Sequence, residues 1–558
     1  MAGDAQVNRT GAQILVDGLA AQGADVAFGV PGESYLAVLD ALLDSPIRYV
    51  TCRHEAGAAN IAEAYGKLTG RPGVCMVTRG PGATHASVGV HTAFQDSTPM
   101  LLIVGQVARV MRGREAFQEV DYEAMFGPLV KWSCEIQDAA RIPELLARAY
   151  SVATSGRPGP VVLALPEDVL FETAEVGDVP PVSPVQAHPG AHDVARAREL
   201  LAGAERPFVL VGGQPWSAEA ADDLRAFCEA SALPVGASFR CQDYVDNGSP
   251  SYVGHVGIGP DPRLAARVRD ADVLLVVGAR LGEMTTSGYE LVEPPVPRQA
   301  LVHVHAGAEE IGRVYHPTLG IVSGPPQFAA ALRALERLDG SRWAEWTRAA
   351  RADYEQNLRH RPMPGPVDLG EVMAVLRRRL PDEAILTNGA GNFTVWAHRF
   401  YEFHRYRTCL APTSGAMGYG VPAAIAAKVV HPDRPVVCIA GDGDFLMSAN
   451  ELATAVQHEL PIVVLVVDNG MYGTIRMRQE RDYPGRVSGT ELVNPDFTAF
   501  ARSFGAYAET VGDTDDFESA LERALAAAVP SVLSLRVDPE AITPRATLTE
   551  LREAALRR

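Results

Sequence analysis

An aspartate at position 442 and an asparagine at 469 stand where two hydrophobic runs end in IAGDGDFLMSANELATAVQHELPIVVLVVDNGMYG, residues 439 to 473. VVCIA predicts a strand ending at Gly441, and a helix is expected from about Ser448 or Asn450 through ELATAVQHEL. PIVVLVV predicts a second strand ending at Asp468 and Asn469. As parallel neighbours, the two strands would bring Asp442 and Asn469 side by side at one sheet edge. An Asp oxygen, an Asn carbonyl and a backbone carbonyl of the following turn make a hard oxygen set that suits Mg²⁺ or Ca²⁺ and suits zinc poorly. One carboxylate does not neutralise such an ion, so phosphate oxygens are the expected remaining ligands. Glycine N–H groups and a helix N-terminus would serve the same phosphates. Asp444 is either a further ligand or a helix cap. GDG or DNG alone is an ordinary turn after a strand; the pair at this spacing points to a metal and phosphate site.

Such turns need sheets to carry them. VAFGV (26 to 30), YLAVLDALL, IRYVTC, GVCMVT, MLLIVGQV and VVLALP are apolar runs that alternate with helical patterns in EAGAANIAEAYGKL and ATHASVGVHTAFQD. Strands apolar on both faces belong to parallel sheets covered by helices on each side. The grammar recurs in FVLVGG, VLLVVGARLG and LVHVHA, and again in AILTNGAG, PVVCIAGDG, PIVVLVVDNG and VPSVLSLRV. Pro-rich GDVPPVSPVQAHPG (177 to 190) and RHRPMPGPV (359 to 367) read as extended tethers. The expected fold is therefore α/β: three open, mostly parallel-sheet domains with helices on both faces, over residues 1–172, 191–345 and 368–546. The central one is Rossmann-like, and ligands are expected at the carboxyl ends of the strands.

Bulk composition excludes several classes. The chain has 558 residues, 47% of them apolar, with 50 Lys plus Arg against 68 Asp plus Glu and a net charge of −18. That balance provides no basic footprint for nucleic acid and no polybasic surface for a membrane. No run approaches the roughly 20 apolar residues of a membrane span. The seven cysteines form no CxxC pair, and MAGDAQVNRTGAQ lacks the apolar core of a signal peptide, so a cytoplasmic location is expected.

The spacing of Gly441, Asp442 and Gly443 to Asp468 and Asn469 resembles the signature of the thiamine-diphosphate-dependent enzymes, with Asp468 in place of the commoner first asparagine. FGVPGE (28 to 33), RHEAGA (53 to 58), RGPGATH (79 to 85) and AFQE (116 to 119) extend the resemblance over nearly the whole chain, towards the acetolactate synthase-like group. The resemblance implies thiamine diphosphate and Mg²⁺ as cofactors, with the metal held by Asp442, Asn469 and the backbone carbonyl of Met471. It implies that Glu55 shares a proton with the pyrimidine ring. A carboxyl at a strand–helix junction, screened from water, suits that task because burial favours its neutral form. Met417, in TSGAMGYGVPAAIAA, matches the apolar residue that holds the cofactor bent. Gly415, Asp444, Tyr472, Gly473 and, in NGAGNF, Gly389, Gly391 and Asn392 complete the implied cofactor contacts.

For the reacting centre the matches are Gly32, Phe117, Gln118 and Lys131. Arg79 and His85 depart from the TSGPGATN of the group, and Arg79 would either grip a substrate carboxylate or pair with a nearby acid. His85 and His91 are proton-shuttle candidates by their chemistry. Arg476, Arg478 and Arg481 suit either an acidic substrate or a solvated helix face. VLVGGQPW and VVGARLG resemble nucleotide-binding turns, but HVHAG (303 to 307) lacks the acid expected to meet a ribose, leaving FAD, ADP or an empty central site.

The implied activity is decarboxylation of a 2-oxoacid, with ligation of the product to a carbonyl acceptor. The alternatives are a C–C lyase or hydrolase, a simple decarboxylase, or an inactive nucleotide-binding regulatory protein. The resemblance also implies a homo-oligomer, dimer or tetramer, with active sites between subunits.

Overall fold

The computed structural model describes residues 8–557. Met1–Val7, part of the stretch read as lacking a signal peptide, lies outside the described residues. The chain divides into two compact units: one comprises the described residues up to Val185 with 425–432 and 448–460, and the other comprises 186–424, 433–447 and 461 onward.

In the first unit six strands, Val26–Gly29, Arg48–Thr51, Gly73–Val77, Met100–Gln106, Trp132–Glu135 and Pro160–Pro166, form one sheet in the order second, first, third, fourth, sixth, fifth. Every pairing is parallel. The three strands Gly73–Val77, Met100–Gln106 and Pro160–Pro166 are buried along their whole length, which explains their unbroken apolar sequences. YLAVLDALL, one of the apolar runs, folds as the helix Leu36–Leu42. Its buried Val38 and Leu42 are four apart, on one helical face.

The second unit carries two six-stranded sheets. Pro207–Val211, Val235–Ala237, Tyr252–His255, Val273–Val277, Ala300–His305 and Leu319–Val322 lie in the order third, second, first, fourth, fifth, sixth, the arrangement of doubly wound dinucleotide-binding sheets. Ile385–Asn388, Cys409–Leu410, Val436–Gly441, Val463–Asp468, Tyr507–Val511 and Ser531–Arg536 repeat the order of the first sheet. All pairs in both are parallel. Three α/β domains with open parallel sheets follow, as the alternating grammar predicts.

The segment after Gly441 differs from its expectation. A short helix begins at once, Asp442–Leu446, and breaks before Ser448. Chain direction resumes through a 3₁₀ turn, Ala449–Glu451, into the helix Leu452–Gln457. The break separates a helix start that faces the strand ends from ELATAVQ, which belongs to the first unit.

Candidate active site

Val436–Gly441 and Val463–Asp468 pair in parallel register from Val437 opposite Val463 to Gly441 opposite Val467. The residues after them therefore emerge together, and they open onto a cleft of about 300 Å³. Gly441, Asp442, Gly443 and Asp444 line it from one strand end; Asn469, Met471, Tyr472 and Gly473 line it from the other. Gly391 and Asn392, from the turn after Ile385–Asn388, and Gly415 and Met417 close the remaining walls. Of the residues assigned to the cofactor from the sequence of the last block, only Gly389 is off the lining.

Asp442 is 3% exposed. Its Oδ2 accepts from Gly470 N at 2.8 Å and from Asn494 Nδ2 at 2.8 Å, and its Oδ1 accepts from Gly443 N. Burial pushes its carboxyl above the ordinary range, the neighbouring Asp468 charge adds to that, and the amide donors pull it back. The largest influences on Asp442 are its burial, the amide donors and a second carboxylate. Asn494 also donates to Asp468 Oδ1 at 2.8 Å, so one amide bridges two acids. Asn469 Oδ1 accepts a long bond from Met471 N at 3.2 Å. Two close carboxylates and an amide oxygen on one rim form an all-oxygen set, which fits a small divalent ion.

Asp444 is neither a cap nor on the Asp442 rim. Its Oδ1 accepts from Gly418 N at 2.8 Å and from Ala390 N at 3.2 Å, tying the Met417 turn to the Gly389–Gly391 turn. Its Oδ2 is buried without a hydrogen-bond partner among the described residues, and burial pushes the carboxyl up to about 7. Gly389 lies beneath it: a Cβ there would stand 2.1 Å from Asp444 Oδ1, so only glycine admits the acid. Asn392 is held from both ends, its Nδ2 donating to Ile542 O and its Oδ1 accepting from Thr474 Oγ1. Its side chain therefore shapes the wall of the cleft.

In the first unit Glu55 opens the helix Glu55–Thr69, with His54 as its cap through Nδ1, which accepts from Ala56 N at 3.1 Å. The Glu55 side chain is 13% exposed, and its Oε2 lies 3.0 Å from Nδ1 of His85. Gly32 packs against Thr78, with no room for a Cβ. Phe117 is 74% exposed, and Gln118 adopts a left-handed φ of 64° beside Gly80. Arg79 is ion-paired to Glu167 and donates to Phe117 O, which selects the acid-pairing alternative. Lys131 Nζ donates to Ser155 O at 2.8 Å, in keeping with a structural role. Arg476 and Arg552 both pair with the buried Glu480, and Arg481 pairs with Asp482. In the central sheet His303 contacts Ala279 O, His305 accepts from Gly307 N, and Glu310 is paired to Arg280 and Arg313.

Two residues escaped the sequence reading. Asn494 sits in a loop with no motif around it, and Glu451, inside ELATA, looks like an ordinary helix acid. Asp468, which stands in place of the commoner asparagine, shares Asn494 with Asp442.

The chain matches three domains of the thiamine pyrophosphate enzymes: the N-terminal TPP binding domain over residues 9–125, the central domain over 194–332 and the C-terminal TPP binding domain over 389–535. It is 33% identical to the acetolactate synthase isozyme 2 large subunit of Escherichia coli (strain K12), over 95% of each chain. It is 34% identical to the acetolactate synthase large subunit of Parasynechococcus marenigrum (strain WH8102), over 95% of this chain and 87% of that one. With the probable acetolactate synthase large subunit of Methanocaldococcus jannaschii it shares 32% identity over 96% and 93% of the two chains. With three six-stranded parallel sheets, the paired strand ends and these matches, the chain belongs to the thiamine pyrophosphate enzymes, as a relative of the acetolactate synthase large subunits.

Proposed function

We propose that this chain decarboxylates a small 2-oxoacid and joins the product to a carbonyl acceptor, as an Mg²⁺- and thiamine-diphosphate-dependent enzyme of the acetolactate synthase kind. The observation that carries the reading is the rim where Asp442 and Asn469 meet at adjacent strand ends, beside a second carboxylate. Oxygens of Asp442 and Asn469 and the carbonyl of Met471 would hold Mg²⁺. The turns at Gly391, Gly443 and Gly473 would receive the diphosphate, and Met417 would support the rings. When bound, the cofactor supplies an electron sink for the pair left as CO₂ departs.

The remaining work falls to the chain's own groups. Glu55 would share a proton with the pyrimidine ring. Gly32, Phe117 and Gln118 would bound the space for substrate, with Phe117 excluding water once a partner surface covers it. The domains that supply Glu55 and Asp442 would come from different subunits of a homodimer, or of a dimer of dimers. In the central domain, the turns at Gly212, Gly213 and Gly278 would hold FAD or ADP, or stand empty. Flavin absorbance of the purified protein distinguishes FAD from the other two.

The test is a screen of 2-oxoacids with Mg²⁺ and thiamine diphosphate, alone and with aldehyde or ketone acceptors, scoring CO₂ and ligated product. Ligated product is the expected result. CO₂ without ligation restricts the chain to a decarboxylase, and no turnover of any 2-oxoacid overturns the reading. Glu55→Gln is expected to keep most cofactor affinity and lose most turnover.

A further inference from the structure

His54, Glu55 and His85 form a cluster at the start of the helix Glu55–Thr69, with one ligand-type atom from each lying within 4.8 Å of the others. The hydrogen bonds constrain both histidine tautomers. His54 Nδ1 accepts from Ala56 N, so its proton sits on Nε2. His85 Nδ1 lies 3.0 Å from Glu55 Oε2, so with Glu55 ionised His85 carries its proton on Nδ1 and donates it. The His54 ring stacks on that of His85, centroids 4.5 Å apart and planes 30° apart, which fixes the direction of the donor. A cation drawn into this cluster through His54 would cost the helix its cap, since a metal needs the lone pair now given to Ala56 or a shift of the proton from Nε2. The arrangement therefore favours proton exchange over metal binding.

Exposure gives the cluster a direction. In the single chain the Glu55 side chain is 13% exposed and that of His85 is 50% exposed, so there the imidazole spans from a nearly buried acid to the surface. Glu55 Oε1 lies 3.4 Å from where a Cβ on Gly82 would stand and accepts no hydrogen bond among the described residues. The bond to Oε2 leaves Oε1 to meet a ring nitrogen.

We propose that His85 is a positioning residue that holds Glu55 through Oε2 and carries protons between that carboxyl and water. The proposal rests on the reading of Glu55 as the group facing the cofactor's pyrimidine. In the inward step the His85 Nδ1–H bond breaks and an O–H bond forms on Glu55 Oε2, while Nε2 takes a proton from hydronium or a buffer acid. In the outward step Glu55 returns its proton to Nδ1 and the Nε2–H proton leaves to water or buffer base. Net, one proton moves between solvent and Glu55, and nothing is oxidised or reduced.

Two measurements test this. In the protein without cofactor, nitrogen NMR of labelled histidine is expected to report the Nδ1–H tautomer for His85 in the wild type and its loss in Glu55→Gln. In the holoenzyme, hydrogen–deuterium exchange at the cofactor's reactive ring carbon is followed by acid quench and proton NMR. Glu55→Gln is expected to abolish exchange. His85→Ala and His85→Asn are each expected to slow it at least tenfold, with imidazole rescuing His85→Ala. Asparagine can still donate to Oε2 but cannot pass a proton, so it separates positioning from transfer. Wild-type exchange in His85→Asn alongside slow exchange in Glu55→Gln overturns the proposal and leaves the Glu55 reading standing. Wild-type exchange in Glu55→Gln overturns both.

Discussion

The Glu451 carboxylate accepts a hydrogen bond from the backbone N–H of His54 at 2.9 Å, one residue before Glu55. Arg53 N donates to the same carboxylate at 3.2 Å, and Thr454 Oγ1 donates to it at 2.5 Å. Glu451 is fully buried, and a Cβ on Gly57 would stand 2.3 Å from its Oε1. Burial raises its carboxyl above the usual range, while these donors and the Arg53 charge favour the ionised form. The strand Arg48–Thr51 thus passes into the Glu55 helix across an anchored corner, and the direction of Glu55 is set from beneath. Glu451→Gln places an NH₂ against one of the backbone donors, which costs about 1–3 kcal/mol. Its melting temperature is expected to fall by several degrees and its kcat by more than tenfold, with Mg²⁺ affinity unchanged. A variant that melts and turns over like the wild type contradicts the anchoring role.

Asn494 offers a second variant, at the metal rim. Its amide bridges Asp442 Oδ2 and Asp468 Oδ1, screening two carboxylates that would otherwise repel. Outer-shell partners of metal ligands typically contribute 10–100-fold in affinity. Asn494→Ala is expected to weaken Mg²⁺ binding in that range, read by titrating Mg²⁺ at saturating cofactor, while circular dichroism stays that of the wild type. Asp442→Asn is expected to remove Mg²⁺-dependent cofactor binding altogether. Equal Mg²⁺ affinity in Asn494→Ala and wild type counts against the placement of the ion.

The sheets were legible because apolar runs bounded by glycine turns leave few alternatives once both faces are dry. The cleft was legible for the same reason: GDG and DNG end neighbouring strands, and strand register does the rest. Asn494 and Glu451 were not legible, since each acts through a contact between segments distant in sequence. Nothing in NPDF or ELATA differs from a loop or a helix acid until the chain folds. Arg476 and Arg481 show the converse. In sequence they suit either an acidic substrate or a solvated helix face, and the fold engages both with acids of the same unit.

Glu480 offers a pH-dependent prediction. Hydrogen bonds from Arg552 dominate, with Gly485 N and Arg476 adding to them, and hold its carboxyl down to about 2. A carboxyl depressed on folding contributes stability that is present above its unfolded value of 4.5 and is lost as pH falls towards 2. Glu480→Gln is expected to lower the melting temperature at pH 7 and to narrow its gap to the wild type as pH falls from 4.5 towards 2. Breaking a fully buried pair costs about 3–5 kcal/mol. The loss here should be nearer 2, because the Arg552 side chain is 34% exposed. A gap that stays constant across that window assigns the loss to packing rather than to charge.

Subunit mixing tests the division of labour between Glu55 and Asp442. If each active site takes Glu55 from one subunit and Asp442 from another, Glu55→Gln and Asp442→Asn each inactivate every site in their own homodimers. A mixed dimer then has one site carrying both lesions and one carrying neither. Random reassortment of equal amounts makes half of the dimers mixed, each with half its sites intact, so activity should recover to about a quarter of the wild type. Both variants retain the fold's main supports, since Glu55 is only a helix-start residue and asparagine keeps the size of Asp442. If both residues serve a site within one chain, mixing restores nothing, because every chain carries one lesion. Recovery that requires dissociation and reassociation of subunits, followed by native mass spectrometry of differently tagged chains, is the outcome expected.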